Sequence, residues 1–394
     1  MTTSSSAPGG PVDPGDVAVV GFAQTAHRPV DAGVSEVALV REVVADVLEQ
    51  TGIDRGDIGF TVSGSLDYLA GAPFSFVSAL DALGAWPPIS ESHVEMDAAW
   101  ALYEAWLVLR HGGVDCALVY GFGKATQGDL AEILGRQLDP YYLAPLGVDA
   151  DSLAALQAQA LLDTGRAGER DLAEVAARSR AAALANPAVA GTGGLPPPPG
   201  PPGDDQAPGA GGAAPAGGAP GVGASPGGDT VVHPLRAAEI APPCDGAAAV
   251  LLATGRTAHR IAAGRGLRPV WIRGLEHRID VHAPGARDLT RVESAELAAA
   301  AAGVGEGPVD VAELHARYAH EEILLRTALG LGDGVDVNPS GGPLGADPVM
   351  ATGLIRIGEV ARRIAAGTAE RGVAHAAQGP CLQHNLVAVL EAAP

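Results

Sequence analysis

Val337-Asn338-Pro339-Ser340-Gly341-Gly342-Pro343-Leu344-Gly345-Ala346-Asp347-Pro348-Val349-Met350-Ala351-Thr352-Gly353 is a glycine-dense turn that runs straight into an apolar, helix-patterned run over residues 354–361. Glycines at 341, 342 and 345 let the backbone approach a ligand closely, and the helix start that follows offers unpaired N–H donors. Glycine punctuation of this kind also serves ordinary loops, so its meaning depends on the elements around it.

Working outward, the turn is preceded by a helix over 294–302, a strand over 309–315 and a helix around 321–329, and followed by strands over 372–377 and 385–390. The first half of the chain has the same order. A strand over 16–22 leads to a helix whose Val37, Leu39, Val40, Val43, Val44, Val47 and Leu48 recur at helical spacing and which Thr51-Gly52 stops. A strand over 57–64 follows, then a segment from Glu91 that reads as the entry to a long apolar helix ending at Arg110, and a strand over 116–123. A small-residue strand over 247–253 closes this half, and a strand from Val270 opens the next. The repeat is one of element order, not of letters, and predicts an α/β fold with two duplicated halves, residues 16–255 and 265–394. The first half carries a mostly helical loop region over about 124–245. Within it, residues 187–228 shift to Pro, Gly and Ala and read as a flexible surface insertion, and residues 1–15 as a disordered leader.

A chain of 394 residues with 47% apolar but 4% aromatic content favours close-packed helices on a Val- and Ala-rich sheet. A formal charge of −21 argues against nucleic acid or an anionic membrane as the main partner, since either would repel it. Cys116, Cys244 and Cys381 are far apart in sequence, with no disulfide or zinc spacing. The opening residues lack the basic and apolar regions of a signal peptide, and no apolar run nears the roughly 20 residues of a membrane span, so a cytoplasmic location is expected.

Three landmarks carry a family resemblance: Glu313-Leu314-His315-Ala316-Arg317-Tyr318-Ala319, Val337-Asn338-Pro339-Ser340-Gly341-Gly342 and Leu382-Gln383-His384-Asn385. They resemble the Glu-Leu-His-Asp-Cys-Phe segment, the Asn-Pro-Ser-Gly-Gly loop and the Leu-Gln-His-Asn segment of the sterol-carrier and lipid-transfer-protein branch of the thiolase superfamily. The run Ser90–Ala105, Leu118-Val119-Tyr120-Gly121-Phe122-Gly123-Lys124 and Gly285-Ala286-Arg287-Asp288-Leu289-Thr290 look like actinobacterial members associated with steroid catabolism. The resemblance implies a thiolase-like fold of five layers, αβαβα, and a homo- or heterodimer.

It also implies which chemistry has been lost. A thiolase needs a thiolate at a buried helix N-terminus, and that place falls here on Met96 or Asp97. The family's Gly-His-Pro histidine is replaced by Ala346-Asp347-Pro348, with Asp347 the nearest match. What the relatives suggest instead is retro-aldol cleavage of a steroid-like or other lipid β-hydroxyacyl-CoA, in which CoA enters with the substrate and no cofactor is covalently bound. His315 stands where the family has its oxyanion donor or a tyrosine base, or is a buried structural histidine. His384 is the second candidate base, or structural. Tyr318 is packing or an acid. Cys381 is an inert buried thiol or lines the substrate. Glu95 and Asp97 at a helix start are caps, or serve the chemistry as catalytic or substrate-binding groups, and the same choice between a structural and a catalytic role holds for His93 and Asp347. Gly341 and Gly342 would border the substrate, His320 caps a helix or faces the site, and Arg287-Asp288 reads as a surface ion pair or subunit contact. No metal ligands are expected. The alternative function is a non-catalytic subunit that supports a catalytic thiolase-like chain or an OB-fold, zinc-ribbon acyl-CoA-binding partner.

Overall fold

Runs of Val, Ala and Leu bounded by glycine turns become the strands of a large mixed sheet. In the computed structural model, which describes residues 15–28, 33–71, 73–84, 89–125, 128–190 and 230–393, the strands are β1 (Val17–Gln24), β2 (Phe60–Gly64), β3 (Glu91–Val94), β4 (Cys116–Lys124), β5 (Thr230–Val232), β6 (Leu235–Arg236), β7 (Asp245–Thr254), β8 (Val270–Ile279), β9 (Val311–Glu313), β10 (Asp336–Val337), β11 (Arg371–Gln378) and β12 (His384–Glu391). β5 and β6 pair only with each other. The other ten form one sheet in the order β10-β9-β11-β12-β8-β1-β7-β4-β2-β3.

That order is a duplication. In the first half β1 lies antiparallel to β7, β7 antiparallel to β4, β4 parallel to β2 and β2 parallel to β3. In the second, β8 lies antiparallel to β12, β12 antiparallel to β11, β11 parallel to β9 and β9 parallel to β10. The halves meet where β1 pairs with β8 at Ala18–Trp271 and Val19–Val270. The α/β class and the repeat of element order are therefore present in the structure.

Two helices, Ala98–Arg110 and Thr352–Ala365, fill the space between the inner faces of the half-sheets and share one apolar core with Val17, Val62, Val250, Val311, Ala374, Leu386 and Leu390. The helices Glu36–Thr51, Phe76–Leu83 and Gly255–Arg265 cover the outer face of the first half, while Glu293–Ala302 and Ala319–Ala328 cover that of the second. The result is the layering α-β-α-β-α. Strand β7 records it in its own sequence: Ala248, Val250 and Leu252 face the central helices, Ala247, Ala249, Leu251 and Ala253 face outward, and every residue is buried. Gly64 and Gly121 let β2 and β4 lie directly against the first turn of the central helix at Ala98, where a side chain would collide.

Some local expectations are corrected. Glu91–Val94 is not helix entry but the edge strand β3, and the helix begins at Ala98. The first four residues of the insertion expected over 187–228 are instead helical, Pro187–Ala190: Oδ1 of Asn186 accepts from the N–H of Ala188 at 3.0 Å, and Val189 is buried. The remainder of that stretch from 191, and the leader up to residue 14, lie outside the described residues. Among the described residues no helix is long and apolar enough to cross a membrane.

Candidate active site

The N-termini of the two central helices converge on one carboxylate. Asp97 caps the first helix, with Oδ1 accepting from the N–H of Ala99 at 2.8 Å, and its Oδ2 accepts from the N–H of Gly353 at 2.7 Å in the first turn of the second. Gly353 has no alternative, since a Cβ there would come within 2.5 Å of Oδ1 of Asp97 and 2.6 Å of Cβ of Ala376. Asp97 is fully buried, and burial raises its pKa to about 7 against the opposing pull of the backbone N–H groups, with the nearby charge of Asp347 adding to the rise.

Asp347 is the second buried carboxylate. Its Oδ1 accepts from Oγ1 of Thr352 at 2.6 Å and its Oδ2 from Nε of Arg317 at 2.7 Å. Burial works against its charge, but the Arg317 guanidinium, His315 and these hydrogen bonds together hold its pKa below the ordinary aspartate value. Thr352 and Gly353 are adjacent, so one helical turn carries both contacts and fixes the two carboxylates next to each other.

His315 follows β9 and reaches over the end of β11, where its Nδ1 accepts the N–H of Ala377 at 3.3 Å. A backbone N–H can only donate, so Nδ1 carries the lone pair and the proton of the neutral ring sits on Nε2. Burial lowers the pKa of His315 to about 3, the charge of Asp347 opposing. At neutral pH the ring is therefore an uncharged N–H donor.

His384 begins β12 opposite Gln378 of β11. Adjacent strands are about 4.8 Å apart, so His315 and His384 flank β11 at the same end, roughly 10 Å from each other. The His384 ring packs against Trp100 of the first central helix, centroids 4.8 Å apart, and its Nε2 meets Nδ1 of His277 at 3.2 Å. Burial and then the neighbouring His277 lower its pKa to about 4. The loop before it is held in an unusual shape: Cys381 and Leu382 have φ of 53° and 54°, values that cost most non-glycine residues energy. The strain is held by Arg287, whose Nη1 and Nη2 donate to the carbonyls of Cys381 (3.1 Å) and Pro380 (2.9 Å), and by Asn385, whose Nδ2 donates to that of Leu382 at 2.8 Å. Arg287 is thus not the partner of Asp288 but the clamp of the His384 loop. Sequence offered no signal for that role, nor for Arg317, Thr352 or His277.

Other expected site residues lie elsewhere. The hydroxyl of Tyr318 donates to Oδ1 of Asp151 at 2.7 Å, and the ring is buried among Leu172, Val175, Leu235 and Leu344, so it packs the helical region onto the second half. The Cys381 thiol donates to the carbonyl of Leu153 at 3.3 Å in an apolar cluster with Leu138, and burial pushes its pKa up to about 12. Gly341, at φ 98°, packs against Ala183 of the helix Glu169–Ala185, where a Cβ would come within 2.6 Å, and Gly342 turns at φ 57° beside Asn338. Their backbone freedom serves the turn and this packing. In the same turn Asn338 accepts from the N–H of Leu314 at 2.7 Å and donates to Glu322 at 2.9 Å, while the Ser340 hydroxyl donates to the buried Glu313 at 2.7 Å and Arg356 pairs with it at 2.5 Å.

Glu95 turns outward at the sheet edge, accepting from the N–H of Asp67 at 2.7 Å and meeting His93 at 3.2 Å. Asp67, His93 and Glu95 each bring one potential ligand atom within 4.8 Å of the others, but Nδ1 of His93 bonds Ser63 and Asp67 holds the N–H groups of Phe74 and Ser75. His320 is buried against Gln157 at 3.3 Å and is structural.

No family model matches the chain, and no curated protein matches it. Among solved structures, one described as an "Ltp2-ChsH2(DUF35) aldolase" has the same fold, with a TM-score of 0.72 at 16% sequence identity over 96% of this chain and 98% of that one. At that identity the likeness is one of fold: the duplicated α/β architecture is shared with an aldolase chain along nearly its whole length.

Proposed function

We propose that the protein is a carbon–carbon lyase of the aldolase type, cleaving a β-hydroxyacyl-CoA whose acyl group is steroid-like or another lipid. The observation that carries this reading is the fixed tautomer of His315, a neutral imidazole with its proton on Nε2, in the field of the Asp347–Arg317 pair. Such a donor suits the oxygen on which charge develops when a carbon–carbon bond breaks towards a thioester. His384, neutral on the other side of β11, supplies the base that takes the proton of the β-hydroxyl. The carbon–carbon electron pair then flows to the α-carbon and its thioester carbonyl, and the products are a ketone or aldehyde and the shortened acyl-CoA. Asp97, at the helix N-terminus where acyl transfer would need a nucleophile, has both oxygens bound by helix N–H groups, which favours cleavage without an acyl-enzyme.

The fold likeness to an aldolase supports the reaction class, and the two names in that protein's description suit a partner for this chain, an OB-fold acyl-CoA-binding protein or a second thiolase-like chain. A second reading, a non-catalytic subunit, is favoured by one feature: the oxygens of Asp97 and Asp347 are all engaged within the chain. Incubating the purified protein, alone and with a co-purifying partner, with β-hydroxyacyl-CoA substrates separates the two. Carbonyl product with stoichiometric shortened acyl-CoA supports the lyase. Absence of product in both preparations supports the silent subunit.

A further inference from the structure

His277 was not singled out by any motif, yet it makes the one hydrogen bond that His384 forms to a side chain among the described residues. The two rings sit on neighbouring antiparallel strands, where His277 lies opposite Leu386 and His384 opposite Ile279, so the imidazoles meet diagonally across the β8–β12 ladder. Each ring is held by an aromatic residue of the first central helix: Trp100 lies against His384, and Tyr103 stands edge-on to His277, each with centroids 4.8 Å apart. That helix is the one whose N-terminus Asp97 caps. The pair is thus oriented by the same element that frames the site.

We propose that His277 is a positioning residue for the reaction: it sets the tautomer of His384 and passes its proton between the site and solvent. The proposal rests on the reading of His384 as the base. A ring-to-ring bond through Nε2 of His384 and Nδ1 of His277 requires one nitrogen to donate and the other to accept. When His384 donates, its Nδ1 carries the lone pair and can take a hydroxyl proton. The substrate O–H bond breaks and an Nδ1–H bond forms on His384; its Nε2 proton crosses to Nδ1 of His277; and Nε2 of His277 releases a proton to water. Both rings end neutral with exchanged tautomers, and no charge accumulates in the half-buried pair. Protonation of the enolate carbon runs the same path in reverse and restores the starting tautomers.

Two imidazolium rings 3.2 Å apart would repel, so the pair can take up at most one extra proton; burial is the largest cause of the lowered pKa of each ring, and for His384 the neighbouring His277 adds to it. The charged groups facing the pair are Glu276 and Arg278, which flank His277 on β8, and the titratable Tyr103 across from it. Glu276 and Arg278 are themselves paired at 2.8 Å and act on His277 in opposite senses, Arg278 the more strongly.

The test uses the full chain and two readouts. The first is the titration of the histidine ring nitrogens by NMR in wild type, His277→Phe and His277→Gln. The proposal expects coupled titration of His277 and His384 in wild type and an upward shift of His384 in both variants; independent titration, with His384 unmoved by either substitution, overturns it whether or not the protein is a lyase. The second is turnover of the β-hydroxyacyl-CoA. Glutamine keeps a hydrogen-bond partner for His384 but cannot relay a proton, so kcat should fall about 10- to 100-fold in both variants with little change in KM, with partial rescue by added imidazole. Full activity in His277→Gln would reduce His277 to a packing role. Failure of wild-type turnover with coupled titration intact would count against the lyase and not against the proton-sharing pair.

Discussion

Asp97 illustrates how far a residue can be read from its neighbours and where that stops. An aspartate just before Ala98-Ala99 is a helix cap by local rules, and so it is, but the second N–H it binds belongs to Gly353, a residue 256 positions away. Nothing local announces that contact. Its consequence is measurable: Asp97→Asn keeps the shape but turns an amide NH2 towards one of the two backbone N–H groups, leaving a buried donor unmet at a cost of about 1–3 kcal/mol. Urea unfolding of the variant checks this, and an unchanged midpoint would mean that the bridge contributes nothing. The same limit explains the other residue-level misses. Arg287 was read with its neighbour Asp288, and Arg317 was passed over between two candidates, because sequence proximity was the available guide to pairing. His315 and Asp347 were legible through their place in motifs; what could not be read was the Nε2–H tautomer that the Ala377 N–H imposes.

At the scale of elements, the long strands and the amphipathic or buried helices were legible, and two short edge strands were not. β3 and β10 have four and two residues at the two edges of the sheet, too few for alternation to register, and the half-buried Glu91–Val94 merged in sequence with the helix after it. The glycine turn was legible as a turn, but the helix Glu169–Ala185 that fills the space beside Gly341 comes from the loop region and could not be placed against it from sequence. The loop over 379–383 is the element on which His384 depends. Removing its clamp by Arg287→Ala frees two carbonyls and should cost about 3–6 kcal/mol, hydrogen bonds from a charged group being worth roughly 1.5–3 kcal/mol each. Amide hydrogen exchange should accelerate over 379–385 while the central helices keep their protection. Uniform acceleration throughout would show instead that Arg287 supports the fold as a whole.

For the whole molecule, the duplication of element order was the sequence feature that determined the architecture, and both half-sheets repeat it strand for strand. The buried histidines give the molecule a pH signature. His27, His315, His320 and His375 are buried with pKa values lowered to about 4, 3, 3 and 4, burial being the largest cause in each. An unfolded histidine titrates near 6.5, so below that pH the unfolded chain binds protons that the folded chain refuses, and stability falls as pH drops from about 6.5 towards 4. Asp97, with its raised pKa, acts in the opposite sense: its contribution is fully present below about 4 and is lost as pH rises through about 7. Glu321, its pKa also raised to about 7 by burial, acts in the same sense as Asp97; four histidines outweigh these two acids, so the urea midpoint should decline from pH 7 to pH 5, and His320→Gln, which removes a buried histidine outside the site, should shallow that decline. A midpoint that stays flat over this range would mean that these rings are not held neutral.

The central claim is that His315 donates Nε2–H to the oxygen that gains charge as the carbon–carbon bond breaks. The most direct measurement is kcat for β-hydroxyacyl-CoA cleavage by His315→Ala beside wild type, each assayed alone and with any co-purifying protein and each verified as folded. Loss of a preorganised donor of this kind lowers kcat by about 100- to 1,000-fold, and the account predicts that loss with KM little changed. Wild-type rates in His315→Ala would contradict it.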